Sequence, residues 1–281
     1  MILFPNAKIN LGLRITSRRP DGYHNINTVM VPVGWHDILE ITPVKGQENT
    51  LHIYGRRVDC PPEKNLVMKA FNALNSFTGG LPHVAFNLEK VIPDGAGLGG
   101  GSADAAFALK GLNDLFNLGL SFDELASVAV RVGADCPFFI YNTPAICRGI
   151  GDEINFDVSP CLKGKAILIV KPHVAAVSTK EAYDGIVPNP HEVDLASIVS
   201  GNLDEWKYIL KNDFETSIFE KLPILLDCKN KMYREGAEYA SMTGSGAAIF
   251  GVFENDNLAH RAYENFSGCD KFVTHVLGLN D

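Results

Sequence analysis

No C-x-x-C pair occurs among the six cysteines, at positions 60, 136, 147, 161, 228 and 269. Their spacing supports neither a zinc site nor a dithiol redox centre. They read instead as buried or free thiols in a reducing compartment. No apolar run approaches the roughly 18 residues of a membrane span. The opening segment, Met1-Ile2-Leu3-Phe4-Pro5-Asn6, turns polar at once and lacks the apolar stretch of a signal peptide. The expected location is the cytoplasm. Positive charge is scarce too: 25 Lys and Arg stand against 33 Asp and Glu, a formal net charge of −8. Nucleic acid and anionic membranes both select for basic surfaces, so neither is expected as a partner. An anionic ligand must be held by a local cluster of donors. Repeats and low-complexity tracts are absent as well. What remains is an ordinary globular composition, 46% hydrophobic and 21% charged. Its length of 281 residues fits one large domain or two ordinary ones.

Glycine is concentrated in one stretch, Pro93-Asp94-Gly95-Ala96-Gly97-Leu98-Gly99-Gly100-Gly101-Ser102-Ala103-Asp104. It follows an alternating segment, 83–92, and precedes a helical one, 103–118. Strand, glycine loop and helix start in that order form an anion site. Glycines let backbone N–H groups approach a phosphate, and the helix start adds unpaired donors and the positive end of the dipole. Ser102 is expected at the helix start, where its hydroxyl can cap, or face a phosphate or a metal ion. The loop is not a Walker A loop, because no Gly-Lys-Ser/Thr closes it. Gly95 to Gly100 fits G-x-G-x-x-G, but a dinucleotide fold needs a second strand soon after the helix. Instead Ser121-Phe122-Asp123-Glu124 opens another helix with a capping box. The segment before the loop alternates, whereas a central parallel strand is continuously apolar.

The rest of the chain supplies chemistry in small groups. In 7–16, Ile9, Leu11, Leu13 and Ile15 share one strand face. Lys8 and Asn10 share the other, expected to be accessible, and spacing alone makes Lys8 a solvated lysine. Pro20-Asp21-Gly22 centres a turn, followed by Tyr23 and His24; an aromatic pair there more often packs than recognises. Strands are expected at 28–33, 37–42 and 51–54. Asn65 caps a helix with Leu66, Val67, Ala70, Phe71 and Leu74 as its stripe. A helix from Ser121 is expected to run to about 132 and stop at Gly133. Asp135 then opens an apolar strand, 134–141; such a carboxylate is costly unless paired, and Arg148 and Lys8 are both candidate partners. Residues 149–164 read as a domain boundary. Beyond them come a strand at 166–170, a capping box from Ser178 to Glu181 leading to Tyr183, helical stretches near 195–210 and 214–235, and a strand–turn–strand at 238–253. The turn, Thr243-Gly244-Ser245-Gly246, reads equally as a second anion cradle or a plain hairpin. A helix and a strand end the chain.

Five segments together resemble the GHMP kinase superfamily: Ala7-Lys8-Ile9-Asn10-Leu11, Asp21-Gly22-Tyr23-His24, Pro93 through Ala103, Gly133 through Phe139, and Thr243 through Gly246. The second resembles the branch whose substrate is a cytidyl diphospho-methylerythritol. Gly100 and Gly101 stand where the wider superfamily often has serines, which leaves more of the phosphate cradling to backbone amides and Ser102. The resemblance implies an α+β, two-domain fold with mixed or antiparallel sheets, helices and an active-site cleft between domains. Residues 1–155 would form the ATP- and phosphate-binding domain, and 156–281 would complete the substrate side. It implies ATP and Mg2+ as cofactors and transfer of the γ-phosphoryl group to the methylerythritol 2-hydroxyl. The loop, Pro93 to Ala103, would carry the phosphates, with Asn65 and Lys90 on the adenosine side. Asp135 would accept or orient the hydroxyl proton, Lys8 would pair with it and stabilise charge, and Asn10 would hold that arrangement. Tyr23 and His24 would take the cytosine, with Tyr183 as the second aromatic and Thr179, Thr243, Gly244 and Ser245 nearby. No protein ligand of Mg2+ is named beyond Ser102. The partner is this small molecule, and the protein is expected as a monomer or homodimer. The alternatives are a homoserine, mevalonate or sugar kinase of the same superfamily, or a non-catalytic ATP-binding sensor.

Overall fold

The computed structural model describes residues 1–278 apart from Gln47, Asp59 and Glu192. In chain order the strands are β1 (Ile2–Leu3), β2 (Asn6–Arg18), β3 (His24–His36), β4 (Ile38–Pro43), β5 (Thr50–Gly55), β6 (Val84–Lys90), β7 (Ala145–Gly149), β8 (Glu153–Asn155), β9 (Ala166–Pro172), β10 (Tyr239–Met242), β11 (Ile249–Phe253) and β12 (Cys269–Thr274). The helices are α1 (Leu66–Thr78), α2 (Gly100–Leu115), α3 (Phe122–Ala129), α4 (Cys136–Tyr141), α5 (Thr179–Tyr183), α6 (Leu195–Ser200), α7 (Leu203–Ile209), α8 (Glu215–Lys221), α9 (Pro223–Arg234) and α10 (Asp256–Asn265). They form two units, neither continuous in sequence. One takes Met1–Ala7, Trp35–Asp94 and Gly99–Asn142; the other takes Lys8–Gly34, Gly95–Leu98 and the chain from Thr143 onward. This division differs from a boundary near residue 155. Leu13 and Ile15 of β2 and Ile26 of β3 share a core with Leu168, Phe214 and Ile249, so the early strands fold with late ones.

In the first unit the sheet order is β1-β4-β6-β5. β6 runs antiparallel to β4 and parallel to β5. Its alternation puts Val84, Phe86, Leu88 and, by the same period, Lys90 on the buried side. α1 starts where Asn65 accepts from the Val67 amide at 2.9 Å and stops at Gly79, which has φ 79°. Val67, Ala70, Phe71 and Leu74 are its buried stripe, while Leu66 stays partly exposed. The capping box at Ser121 forms, but α3 ends at Ala129, short of Gly133. Residues 136–141 are the helix α4 rather than a strand. Pro137 lies in its first turn, where a missing N–H costs nothing and the fixed φ suits a helix.

In the second unit one sheet is ordered β2-β3-β7-β8 and the other β10-β11-β9-β12. β9 is central in the latter and apolar, and Ala166 to Val170 are fully buried. The helical stretches are each split. Asn202 caps α7 after Gly201 ends α6, and Pro223 starts α9 because it cannot continue α8. Among the described residues no helix is long and apolar enough to cross a membrane.

Candidate active site

Within the second unit, Lys8 and Asn10 share a face of β2, yet that face is covered. Lys8 is 3% exposed and Asn10 1%, against the expectation of an accessible lysine. A buried ammonium requires partners. Lys8 Nζ donates to Asn10 Oδ1 at 2.6 Å and to the Gly97 carbonyl at 2.9 Å. These two bonds orient the cation. Asn10 is fixed in turn: its Nδ2 donates to Thr28 Oγ1 at 3.0 Å, and its backbone N–H donates to Thr243 Oγ1 at 3.1 Å. Thr243 Oγ1 also lies 3.2 Å from the Gly97 carbonyl. The loop segment 95–98 is held along its backbone as well. Lys8 N–H donates to the Leu98 carbonyl, Ala247 N–H to Gly95 and Ala248 N–H to Ala96. Glycine is required at 97, where φ is 73° and a Cβ would lie 2.1 Å from the Thr243 carbonyl oxygen. Thr243-Gly244-Ser245-Gly246 is the connection between antiparallel β10 and β11. Asn212 Nδ2 pins it by donating to the Met242 and Gly244 carbonyls at 2.8 Å each.

The same unit holds a pocket of about 530 Å³ lined by Arg18, Tyr23, His24, Thr179, Lys180 and Tyr183, among others. Tyr23 is 62% exposed, an aromatic face open to a ligand. His24 stacks on Tyr183, ring centroids 4.7 Å apart and 19° from parallel. Tyr183 also meets the edge of Phe214 at 4.9 Å. A base therefore does not fit between His24 and Tyr183; the two rings act as one platform. Burial, and then the Arg18 cation, hold His24 below its ordinary pKa. The ring is neutral near pH 7, with one nitrogen donating and one accepting. Thr179 Oγ1 comes within 3.5 Å of Ser245 Oγ, which brings two predicted substrate residues together.

Within the first unit, α2 opens at Gly99, φ 72°, without a side-chain cap. Gly100, Gly101 and Ser102 are its first three residues, and first-turn amides have no intrahelical acceptor. Ser102 lies inside the first turn rather than at the cap, and Cys136 is buried. Burial pushes the Cys136 thiol up to about 12. Pro93 is buried and Asp94 exposed. Asp135 is half-buried at the N-cap of α4, and its carboxylate does not cap that helix. Lys90 departs from its expected role. Its ammonium, 6% exposed, is bonded to Asp37 and, at 2.6 Å, to Asp104, and its carbonyl accepts from Arg56 N–H. Its side chain is thus engaged in the core rather than offered to adenosine. Asn65 is 8% exposed, with its Oδ1 taken by the α1 cap.

Asp37, Asp104, Thr28 and Arg18 were not among the sequence candidates. Asp104 directly follows the loop motif, which was the available signal. Asp37 and Thr28 show their role only through partners distant in sequence, and Arg18 through its place at the aromatic pocket.

Residues 65–143 match the model of the GHMP kinases N-terminal domain, and residues 194–269 match that of the GHMP kinases C-terminal domain. The chain belongs to the GHMP kinase family, and it is a small-molecule kinase. It is 49% identical over 256 residues to a Bacteroides thetaiotaomicron protein named 4-diphosphocytidyl-2-C-methyl-D-erythritol kinase, covering 90% of this chain and 92% of that one. A crystal structure of 4-(cytidine 5'-diphospho)-2C-methyl-D-erythritol kinase superposes with a TM-score of 0.80 at 30% identity, covering 98% of this chain and 99% of that one. The homoserine kinase of Cytophaga hutchinsonii has a TM-score of 0.74 at 18% identity, over 96% and 94% of the two chains. That likeness concerns the fold alone.

Proposed function

We propose that this chain transfers the γ-phosphoryl group of ATP to the 2-hydroxyl of 4-diphosphocytidyl-2-C-methyl-D-erythritol, within the non-mevalonate route to isoprenoid precursors. The observation that carries the choice of acceptor is the aromatic pocket, with Tyr23 exposed and His24 stacked on Tyr183. A cytosine has a π-face for Tyr23 and an edge of donors and acceptors for a neutral imidazole, as in other single-base readers. Homoserine and mevalonate have neither.

Phosphoryl transfer requires in-line positioning and neutralisation of spreading negative charge. Backbone amides of the glycine loop and of the first turn of α2 hold the phosphates. Lys8, oriented by Asn10 and Gly97, neutralises charge on the group in flight. The bond from the acceptor oxygen to Pγ forms as the bond from Pγ to the β–γ bridging oxygen breaks. The hydroxyl proton passes to the Asp135 carboxylate, and ADP leaves with the bridging oxygen. Asn10 and Thr243 fix Lys8 and the loop. Thr179, Gly244 and Ser245 line the acceptor side.

Mg2+ bound with the nucleotide would supply further neutralisation of the phosphate charge. Among the described residues no group of three His, Cys, Asp or Glu could hold a metal ion. The Ser102 hydroxyl, in the first turn of α2, is the protein group that would hold the ion. A cytoplasmic location, supported by six free cysteines, and a monomeric or homodimeric state belong to the same proposal. Phosphorus NMR of the product tests the regiochemistry. A new phosphomonoester on the 2-hydroxyl is expected, and attachment at another hydroxyl would overturn the assignment.

A further inference from the structure

The ionic cluster of Lys90, Asp37 and Asp104 lies wholly within the first unit and is not used in the reaction above. Its side chains are 6%, 0% and 4% exposed. Burying ions is costly, and well-packed apolar residues commonly serve stability as well or better. Here two carboxylates share one ammonium, and Asp104 Oδ1 is buried without a hydrogen-bond partner. Stability alone is therefore a poor reason for the cluster.

Its connections suggest another. Asp37 Oδ1 accepts from the Val91 and Ile92 amides at 2.6 and 2.8 Å. These are the last two residues before Pro93, where the glycine loop starts. Asp104 projects from α2, the helix that the loop enters. Lys90 joins the two carboxylates. The two roots of the loop also touch beneath it: a Cβ at Gly100 would lie 3.1 Å from Ile92 Cγ2 and 3.4 Å from Lys90 Nζ. One set of charge-assisted bonds thus fixes both where the loop leaves the sheet and where the helix begins. Such bonds are stronger and more directional than neutral ones.

We infer that Lys90, Asp37 and Asp104 form a clamp that positions the phosphate loop, with Asp104 setting the first turn of α2 toward the triphosphate. The inference rests on the phosphate role proposed for Pro93 to Ala103. It makes Lys90 and Asp104 positioning residues that act on ATP without touching it.

Two calorimetric titrations test this, one with a non-hydrolysable ATP analogue and one with cytidine diphosphate. For Asp104→Ala the analogue Kd rises about tenfold or more, because small misplacements of binding groups are costly. The cytidine diphosphate Kd stays within about twofold, since the aromatic pocket is built from other residues. Asp104→Asn keeps an acceptor for Lys90 and recovers most of the analogue affinity. Unchanged analogue binding in Asp104→Ala would overturn the clamp, and so would equal losses for both ligands. If Asp104→Ala does not fold, the neutral pair Lys90→Gln/Asp104→Asn is held to the same criteria. Failure of both to fold would also overturn the clamp, because the cluster would then be a core element. Wild-type protein that binds the analogue but not cytidine diphosphate would refute the choice of acceptor. The clamp would then be judged on the analogue, with circular dichroism as the folding control. Wild-type protein that binds no analogue would refute the loop's phosphate role and the clamp with it.

Discussion

Gly97→Ala should do far more damage than Gly95→Ala, although the two glycines are neighbours in one loop and both have positive φ, 73° and 59°. Any L-residue in this region costs about 1–2 kcal/mol, so that cost is common to both. At Gly95 nothing lies within 4 Å of the added Cβ, whereas at Gly97 the Thr243 carbonyl oxygen is 2.1 Å away. A close C···O contact is about 3.3 Å, so chain must shift by about 1.2 Å. That shift pulls the Gly97 carbonyl away from Lys8 Nζ and Thr243 Oγ1, now at 2.9 and 3.2 Å. Losing the lysine bond costs about 1.5–3 kcal/mol and the hydroxyl bond about 0.5–1.5 kcal/mol. The excess of Gly97→Ala over Gly95→Ala is therefore about 2–4.5 kcal/mol. Urea denaturation reads the excess as a difference in unfolding free energy. Steady-state kinetics read the displaced Lys8 as a kcat/KM lower by ~10²-fold than in Gly95→Ala. Equal stability and equal kcat/KM for the two variants would refute the close approach of loop and turn on which the Lys8 site depends.

Three further outcomes are expected. Asp135→Asn lowers kcat by at least ~10²-fold, as loss of acid–base help does, and nearly wild-type kcat would remove Asp135 from the reaction. Tyr23→Ala weakens the cytidyl substrate by about 1–3 kcal/mol, the worth of stacking one base, and leaves KM for ATP unchanged; equal loss for both ligands would count against the aromatic reading. The third concerns pH. Burial raises the Asp104 carboxyl from 3.8 to about 7 against the opposing pull of Lys90, with the Asp37 charge adding to the rise. The folded state then holds a proton that the unfolded state releases. The contribution to stability is full below about pH 4 and is lost as pH rises toward 7. Asp104→Asn should flatten this fall in urea midpoint, and a fall of the same size in both proteins would exclude Asp104 as its source.

Local signals were legible wherever one short segment decides the outcome. Asn65, Ser121 and Ser178 cap their helices because a side-chain oxygen reaches an amide two or three residues on. The spacing of Lys8 and Asn10 placed them on one strand face. It did not reveal that the face is buried, since the cover comes from Gly97 and Thr243, far along the chain. The ion cluster around Lys90 is not legible locally for the same reason: its partners lie 53 and 14 residues away. α4 was hidden because Cys136 to Ile140 is apolar on every side and buried throughout, so no period separates helix from strand. His24 and Tyr183 stand out singly in the sequence, but their stacking depends on the fold bringing α5 to the start of β3. The division into units escaped the sequence because cores follow strand packing, not chain order.

The central claim is the acceptor, and an ADP-release assay with the purified protein tests it most directly. With ATP and Mg2+, 4-diphosphocytidyl-2-C-methyl-D-erythritol should give sustained ADP release, while mevalonate and homoserine at equal concentration stay at the rate without acceptor. Turnover of mevalonate or homoserine, with none of the cytidyl compound, would contradict the account.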